Sequence, residues 1–162
     1  MKFDKGDIEG VIVQRLVKYV DERGFLVETF RRDTLPVGLE PQMSYVSYTE
    51  PGMSRGPHEH KKQTDIFAFI GPGNIKIQLW DNRKDSPTYK NTMVLFGGED
   101  NPVLVIVPPG VVHGYKNISK TVRAMVLNYP DKLFRGEGKN GEVDEIRHEE
   151  AEDEFYRDFN ES

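Results

Sequence analysis

The chain has no cysteine. Disulfides, thiolate metal sites and a cysteine nucleophile are therefore excluded, a composition compatible with the cytosol. Long apolar runs are also missing. The longest, such as residues 103–107, are far too short to span a bilayer. The N-terminal stretch MKFDKGDIEG is polar and acidic and has no apolar signal core. These absences predict a soluble, cytoplasmic protein with no membrane partner. A basic surplus is lacking too: the net charge is −5 and the pI about 5.4. General nucleic-acid binding needs a basic surface and is not expected. A nucleotide-sized anion held by a few local arginines remains compatible with this balance. Helix signals are scarce before residue 145.

The 162 residues fit one domain of ordinary size. At this length a fold buries roughly 68–70% of its unfolded surface and needs no staples. Strand signals dominate, over residues 10–20, 25–30, 43–48, 66–70, 74–80, 92–96, 103–107, 111–115 and 122–128. In residues 74–80, Ile75, Ile77 and Leu79 alternate with Lys76 and Gln78. Many short strands separated by Gly, Pro, Asn and Asp predict a sandwich or barrel. Residues 1–135 read as one β-barrel domain, and 136–162 as an acidic C-terminal extension. Residues 144–159 are open to two readings. One is a single amphipathic helix with Ile146, Ala151, Phe155 and Phe159 loosely on one side; the other is an unstructured acidic segment.

Only four histidines are present, and three fall in one two-part pattern. The first part is Gly56-Pro57-His58-Glu59-His60, followed by Asp65 and Gly71-Pro72-Gly73. Residues i and i+2 of a strand share a face, so His58 and His60 look into the same space. The second part, Pro108-Pro109-Gly110-Val111-Val112-His113-Gly114-Tyr115-Lys116-Asn117, sets a third histidine at a strand start after a Pro-Gly turn. The two parts resemble the paired motifs of the cupin superfamily. That resemblance implies an all-β, double-stranded β-helix or jelly-roll barrel. In metal-binding cupins the corresponding positions are ligands, which gives His58, His60, Asp65 and His113 as a possible site for one divalent ion.

A narrower resemblance covers about residues 10–148. It is carried by Asp21-Glu22-Arg23-Gly24-Phe25 with Glu28, by Arg55-Gly56-Pro57-His58, and by the run from Trp80 through Asp81, Arg83, Asp85-Ser86-Pro87-Thr88 to Tyr89. Pro109-Gly110, His113-Gly114 and Asn128-Tyr129 complete it. The chain is similar to the dTDP-4-dehydrorhamnose 3,5-epimerase family, and residues 55–62 also look like sugar 3,4-ketoisomerases. The family acts without a cofactor on nucleotide-linked 4-keto-6-deoxy sugars, generally as homodimers that exchange N-terminal strands. In such a sugar the C3 and C5 protons are α to the C4 ketone. Their removal gives an enolate and needs a base, a group to stabilise the enolate oxygen, and an acid on the other face.

The resemblance implies His58 as base, Tyr129 as acid and Asp144 as the carboxylate that orients the base. It implies Arg23 and Arg55 as diphosphate contacts, with Glu28, Gln42, His60 and His113 as further substrate contacts. Arg83 reads equally as a turn residue paired with Asp81 or Asp85. The chain departs from the epimerases in two places. Their lysine some ten residues after the base is absent, with Thr64 or Asp65 there instead, and His60 stands where they have glutamine. A metal on His58 would occupy its lone pair and prevent it from acting as base. Three readings therefore stay open: a metal-free epimerase or isomerase, a metal-dependent cupin enzyme, and a non-catalytic sugar-nucleotide-binding cupin.

Overall fold

The computed structural model describes residues 2–161. Its strands are β1 (Asp4–Lys5), β2 (Ile12–Arg15), β3 (Lys18–Asp21), β4 (Gly24–Val27), β5 (Tyr45–Thr49), β6 (Ser54–Glu59), β7 (Asp65–Phe69), β8 (Asn74–Asp81), β9 (Asn91–Gly98), β10 (Val103–Val107), β11 (Val111–Asn117), β12 (Ala124–Asn128) and β13 (Ile146–Arg147). Two short helices follow, α1 (His148–Ala151) and α2 (Glu154–Glu161). No helix among the described residues is long and apolar enough to cross a membrane.

The strands form a six-stranded sheet, β1-β9-β8-β11-β6-β13, and a five-stranded sheet, β2-β10-β7-β12-β5. The alternation read in residues 74–80 places Ile75, Ile77 and Leu79 between the sheets. There they meet Phe67 and Phe69 of β7, Val105 and Val107 of β10 and Val126 of β12. This is the cupin-type barrel that the sequence predicts. The residues of opposite parity are also buried, because other segments cover the outer faces. Ile66, Ala68, Leu104 and Ile106 lie under Leu16 and Leu35 of the N-terminal segment. Trp80 and Val112 lie under Phe155 and Phe159 of α2. Strands β7 and β10 are thus buried throughout, and apart from Asp65 they are apolar rather than alternating.

Two expectations need correction. Residues 10–20 are not one strand. Leu16 turns inward, its N–H bonded to the Pro102 carbonyl at 2.9 Å, and separates β2 from the β3–β4 hairpin. The segment 144–159 is neither one helix nor unstructured. β13 adds to the six-stranded sheet beside β6, and Glu152, at φ 48, separates α1 from α2. Ile146 and Ala151 are exposed, while Phe155 and Phe159 are buried against Trp80. Asp158 anchors the helix by accepting from Trp80 Nε1 at 2.8 Å and Gln78 Nε2 at 2.9 Å. An isolated eight-residue helix is unstable in water. Burying two phenylalanine rings contributes roughly 1.5–3 kcal/mol each, which is enough to hold it.

The barrel mouth depends on a close approach at Gly56. Its φ is 77, and a Cβ there would lie 2.7 Å from the His113 carbonyl oxygen and 3.0 Å from His58 Nδ1. A side chain here strains the backbone and pushes β6 off β11. Gly56→Ala is expected to destabilise the fold by about 1–3 kcal/mol. Chemical denaturation of the variant beside the parent protein checks this.

Candidate active site

β6 and β11 run antiparallel, with His58 directly opposite His113. The two rings face one another at 4.4 Å between centroids. His60 follows the end of β6, its ring 5.5 Å from that of His58 and 5.9 Å from that of His113. Asp65, the first residue of β7, closes the group from the other sheet. Its Oδ2 lies 3.1 Å from His60 Nε2 and 3.2 Å from His113 Nε2. One ligand-type atom from each of these four residues falls within 4.8 Å of the others. The convergence of three imidazoles read in the sequence is the geometry observed.

Neighbouring groups fix the rings. His113 Nδ1 donates to the Val111 carbonyl at 3.0 Å, and His60 Nδ1 to the Asp144 carbonyl. Both therefore turn Nε2 toward Asp65. The other carboxylate oxygen of Asp65 accepts from Gln63 Nε2 at 2.9 Å and Asn128 Nδ2 at 2.8 Å. Oδ2 of Asp65 and Nε2 of His113 are buried and have no hydrogen-bond partner. His58 and His60 open onto a cavity of about 1720 Å³, whose walls include Tyr45, Arg55, Gln63 and Tyr115.

The remaining sequence candidates divide. Arg55 lines the cavity, its guanidinium steadied by Thr49 Oγ1 at 3.1 Å and the Tyr48 carbonyl at 2.8 Å. Tyr129 does not reach the cavity. It lies on the outer face of β12 with Leu127, against Phe30 at 4.7 Å, and its hydroxyl meets Thr29 Oγ1 at 2.8 Å. The inward residue is its neighbour Asn128. Strand parity carried that signal, since buried Ala124, Val126 and Asn128 share one face. Asp144 does not orient His58 either. Its carboxylate accepts the backbone N–H groups of Lys61, Lys62 and Gln63 at 2.8–3.0 Å. The next residue, Glu145, faces His58, with Oε1 3.9 Å from Nδ1.

Arg23, Glu28 and Gln42 are not among the cavity-lining residues of this chain. Arg23 sits at the turn of the β3–β4 hairpin and pairs with Asp21, while Glu28 pairs with Arg31 at 3.2 Å. Gln42 bonds to the backbone of Glu40 and Pro130. Arg83 is a turn residue: with Ser86 and Thr88 it surrounds the buried carboxylate of Asp81. Sequence reasoning missed Glu145, Tyr45 and the cations Lys132, Arg135 and Lys139 on the loop after β12, which also lines the cavity. No motif marks that loop.

The site is a histidine-lined cavity of a cupin-type barrel, with a buried carboxylate behind the rings and lysines and arginines at its mouth. A family model described as dTDP-4-dehydrorhamnose 3,5-epimerase matches residues 5–136. The chain belongs to that family and is an enzyme of the epimerase or isomerase type. It is 40% identical over 114 residues to the spore coat polysaccharide biosynthesis protein SpsL of Bacillus subtilis, covering 70% of this chain and 74% of the relative. Among solved structures, a dTDP sugar isomerase from Desulfovibrio desulfuricans superposes with a TM-score of 0.75 at 27% identity, covering 86% of this chain and 84% of the other. A dTDP-4-dehydrorhamnose 3,5-epimerase from Bacillus anthracis, with TDP and PPi bound, gives 0.69 at 28% identity, covering 82% and 78%.

The surroundings separate the two rings that open onto the cavity. Burial, reinforced by the neighbouring imidazoles of His113 and His60, holds His58 well below the usual histidine range. Burial also opposes a charge on His60, but the Asp65 carboxylate and the Asp144 carbonyl outweigh it and raise its pKa to about 9. The linkage signs are opposite. His60 contributes stability that is full below the unfolded value near 6.5 and is lost as pH rises through about 9. His58 is disfavoured in its charged form, so stability falls as pH drops below 6.5 toward its folded value. Imidazole ¹⁵N–¹H spectra of metal-free protein are expected to show His58 neutral at pH 6.5 and His60 still protonated at pH 8.

Proposed function

We propose that the protein epimerises or isomerises a nucleotide-linked 4-keto-6-deoxy sugar by removing a proton α to the C4 ketone, with His58 as the base. The observation that carries this reading is the set of three converging imidazoles, two of them on one buried carboxylate, with His58 and His60 opening on a cavity large enough for a nucleotide sugar. His58 is neutral, so its lone pair is available near neutral pH. His60, charged by Asp65, supplies a cation beside the base, where the family's lysine is missing. An imidazolium there stabilises a developing enolate oxygen. Tyr45 replaces Tyr129 as the proton donor. Its phenol lines the cavity and accepts from Asn128 Nδ2 at 2.9 Å, which leaves its own proton free. Burial pushes its pKa up, so it holds that proton. Arg55, Lys61, Lys62 and Lys132 at the cavity wall suit a diphosphate, and the bound TDP and PPi of the Bacillus anthracis structure support that choice.

Incubation in D₂O with a dTDP-4-keto-6-deoxyhexose is expected to introduce deuterium at a carbon α to the ketone. His58→Ala should slow the exchange by about 10²–10⁴-fold, the usual contribution of a general base. Absence of exchange into every dTDP-4-keto sugar offered would overturn the assignment.

A second reading is favoured by the partnerless Oδ2 of Asp65 and Nε2 of His113. An imidazole nitrogen and a carboxylate oxygen that face one another unpartnered suit a shared divalent ion, and Nδ1–H bonded to a backbone carbonyl is how metal-binding histidines are held. His58, His60, Asp65 and His113 fit such an ion by type and spacing. The ion would act as a Lewis acid on a bound oxygen. Elemental analysis of protein purified without chelator decides between the readings: one equivalent of metal per chain supports the second, and a trace supports the first.

We further propose a homodimer joined through the N-terminal strands, which expose Val17, Tyr19, Val20, Phe25 and Leu26. Single patches of this kind mark association surfaces. Light scattering is expected to give twice the 18.6 kDa chain mass, and a monomeric mass for Val20→Lys combined with Leu26→Lys.

A further inference from the structure

Residues 144–161 come to the catalytic wall from the far end of the chain. β13 lies beside β6 with Arg147 opposite His58 and Ile146 opposite Glu59. That register sets Glu145 against the His58 ring. A two-residue strand makes too few ladder bonds to hold such a register alone. The residue that follows it, His148, is buried and bonded at both nitrogens. Nε2 meets Glu59 Oε1 at 3.0 Å, and Nδ1 meets Asp153 Oδ2. Glu59 lies between His58 and His60 in sequence and faces the other way. It is buried, and the same oxygen also accepts from Asn82 Nδ2 at 2.8 Å. Asp153 caps α2, accepting from the N–H groups of Phe155 at 3.0 Å and Tyr156 at 3.3 Å. One imidazole thus ties the strand that carries the base to the helix that docks on Trp80.

We infer that His148 is a positioning residue for the reaction: clamped between Glu59 and Asp153, it fixes β13 on β6 and so holds Glu145 against the ring of His58. The inference rests on His58 being the base, and it predicts coupling that a merely structural histidine would not show. The carboxylate, 3.9 Å from Nδ1, is close enough to favour the charge that forms when Nε2 takes a proton. Misplacement by an ångström far from the chemistry costs up to about 10²-fold in rate.

The test uses the full chain with His148→Gln, Glu145→Gln and the double variant. Glutamine keeps one donor toward Glu59, which avoids a bare buried carboxylate. In the deuterium exchange assay, His148→Gln is expected to lower kcat by about 10–10²-fold with KM changed less than about 2-fold. The double variant should be no slower than Glu145→Gln alone. The ¹⁵N shift of His58 Nδ1, read without substrate on metal-free protein, should move in His148→Gln toward its value in Glu145→Gln. Should His148→Gln fail to fold, Asp153→Asn loosens the same clamp and takes its place in each comparison. Rate losses that multiply in the double variant, or a His58 resonance unmoved in the clamp variant, would overturn the inference. A parent protein that turns over no keto sugar would defeat the proposed function, while the His58 resonance would still decide the clamp.

Discussion

The site depends on one buried charge. The Asp65 side chain is 1% exposed, at the junction of the two sheets. Burial works against its ionisation, yet the imidazoles of His113 and His60 outweigh that and hold it well below the usual carboxylate range. A buried anion of this kind must be surrounded by donors. Gln63 and Asn128 donate to Oδ1, and the rings of His60 and His113 lie 3.1 and 3.2 Å from Oδ2; these groups come from both sheets and the connection between them. Losing one partner of a buried ion pair commonly costs about 3–5 kcal/mol. The carboxylate therefore does two things together. It locks β7 and β12 to the ends of β6 and β11, and it holds the rings of His60 and His113 with Nε2 turned toward it beside His58, the ring it does not touch.

The barrel and the histidine cluster were legible because each rests on short-range rules. Alternation in residues 74–80 gives a strand with an apolar face, and His58 and His60 share a side because they are two apart. His113 was legible through its motif. What was not legible depends on which side of a strand a residue takes. Asn128 and Tyr129 differ by one position, and only Asn128 points inward, onto Asp65. Asp144 and Glu145 differ likewise: the first caps the turn at residues 61–63 and the second meets His58. Both errors are one-residue slips, and a slip of one reverses the face. Glu145 was further hidden because the segment around it reads as an acidic surface. The short β13 gives it a place, through long-range pairing that no local pattern announces.

The most distinctive part of the family resemblance turns out to build structure. In residues 81–89, Asp81 accepts from the Arg83 side chain, Ser86 Oγ and Thr88 Oγ1. Burial disfavours its charge, and these hydrogen bonds outweigh that to bring its pKa to about 2. Arg83 reaches on to the Glu9 carbonyl at 2.7 Å and so ties the N-terminal segment to the barrel. A run of residues that identifies the family thus secures the sheet behind the site rather than touching its contents. His60, which faces the cavity, is where the chain differs from the pattern.

The acidic stretch after residue 143 has a consequence for how the molecule comes into being. Synthesis proceeds from the N-terminus, and domains tend to fold as their chain emerges. The stretch from β1 through β12 contains every member of the imidazole cluster and nearly all of the apolar interior. The barrel has what it needs to close around His58 while Glu145, His148 and the rings of α2 are still being made. A newborn chain would pass through a stage with its pocket formed and one wall missing, until that last wall folds back onto β6.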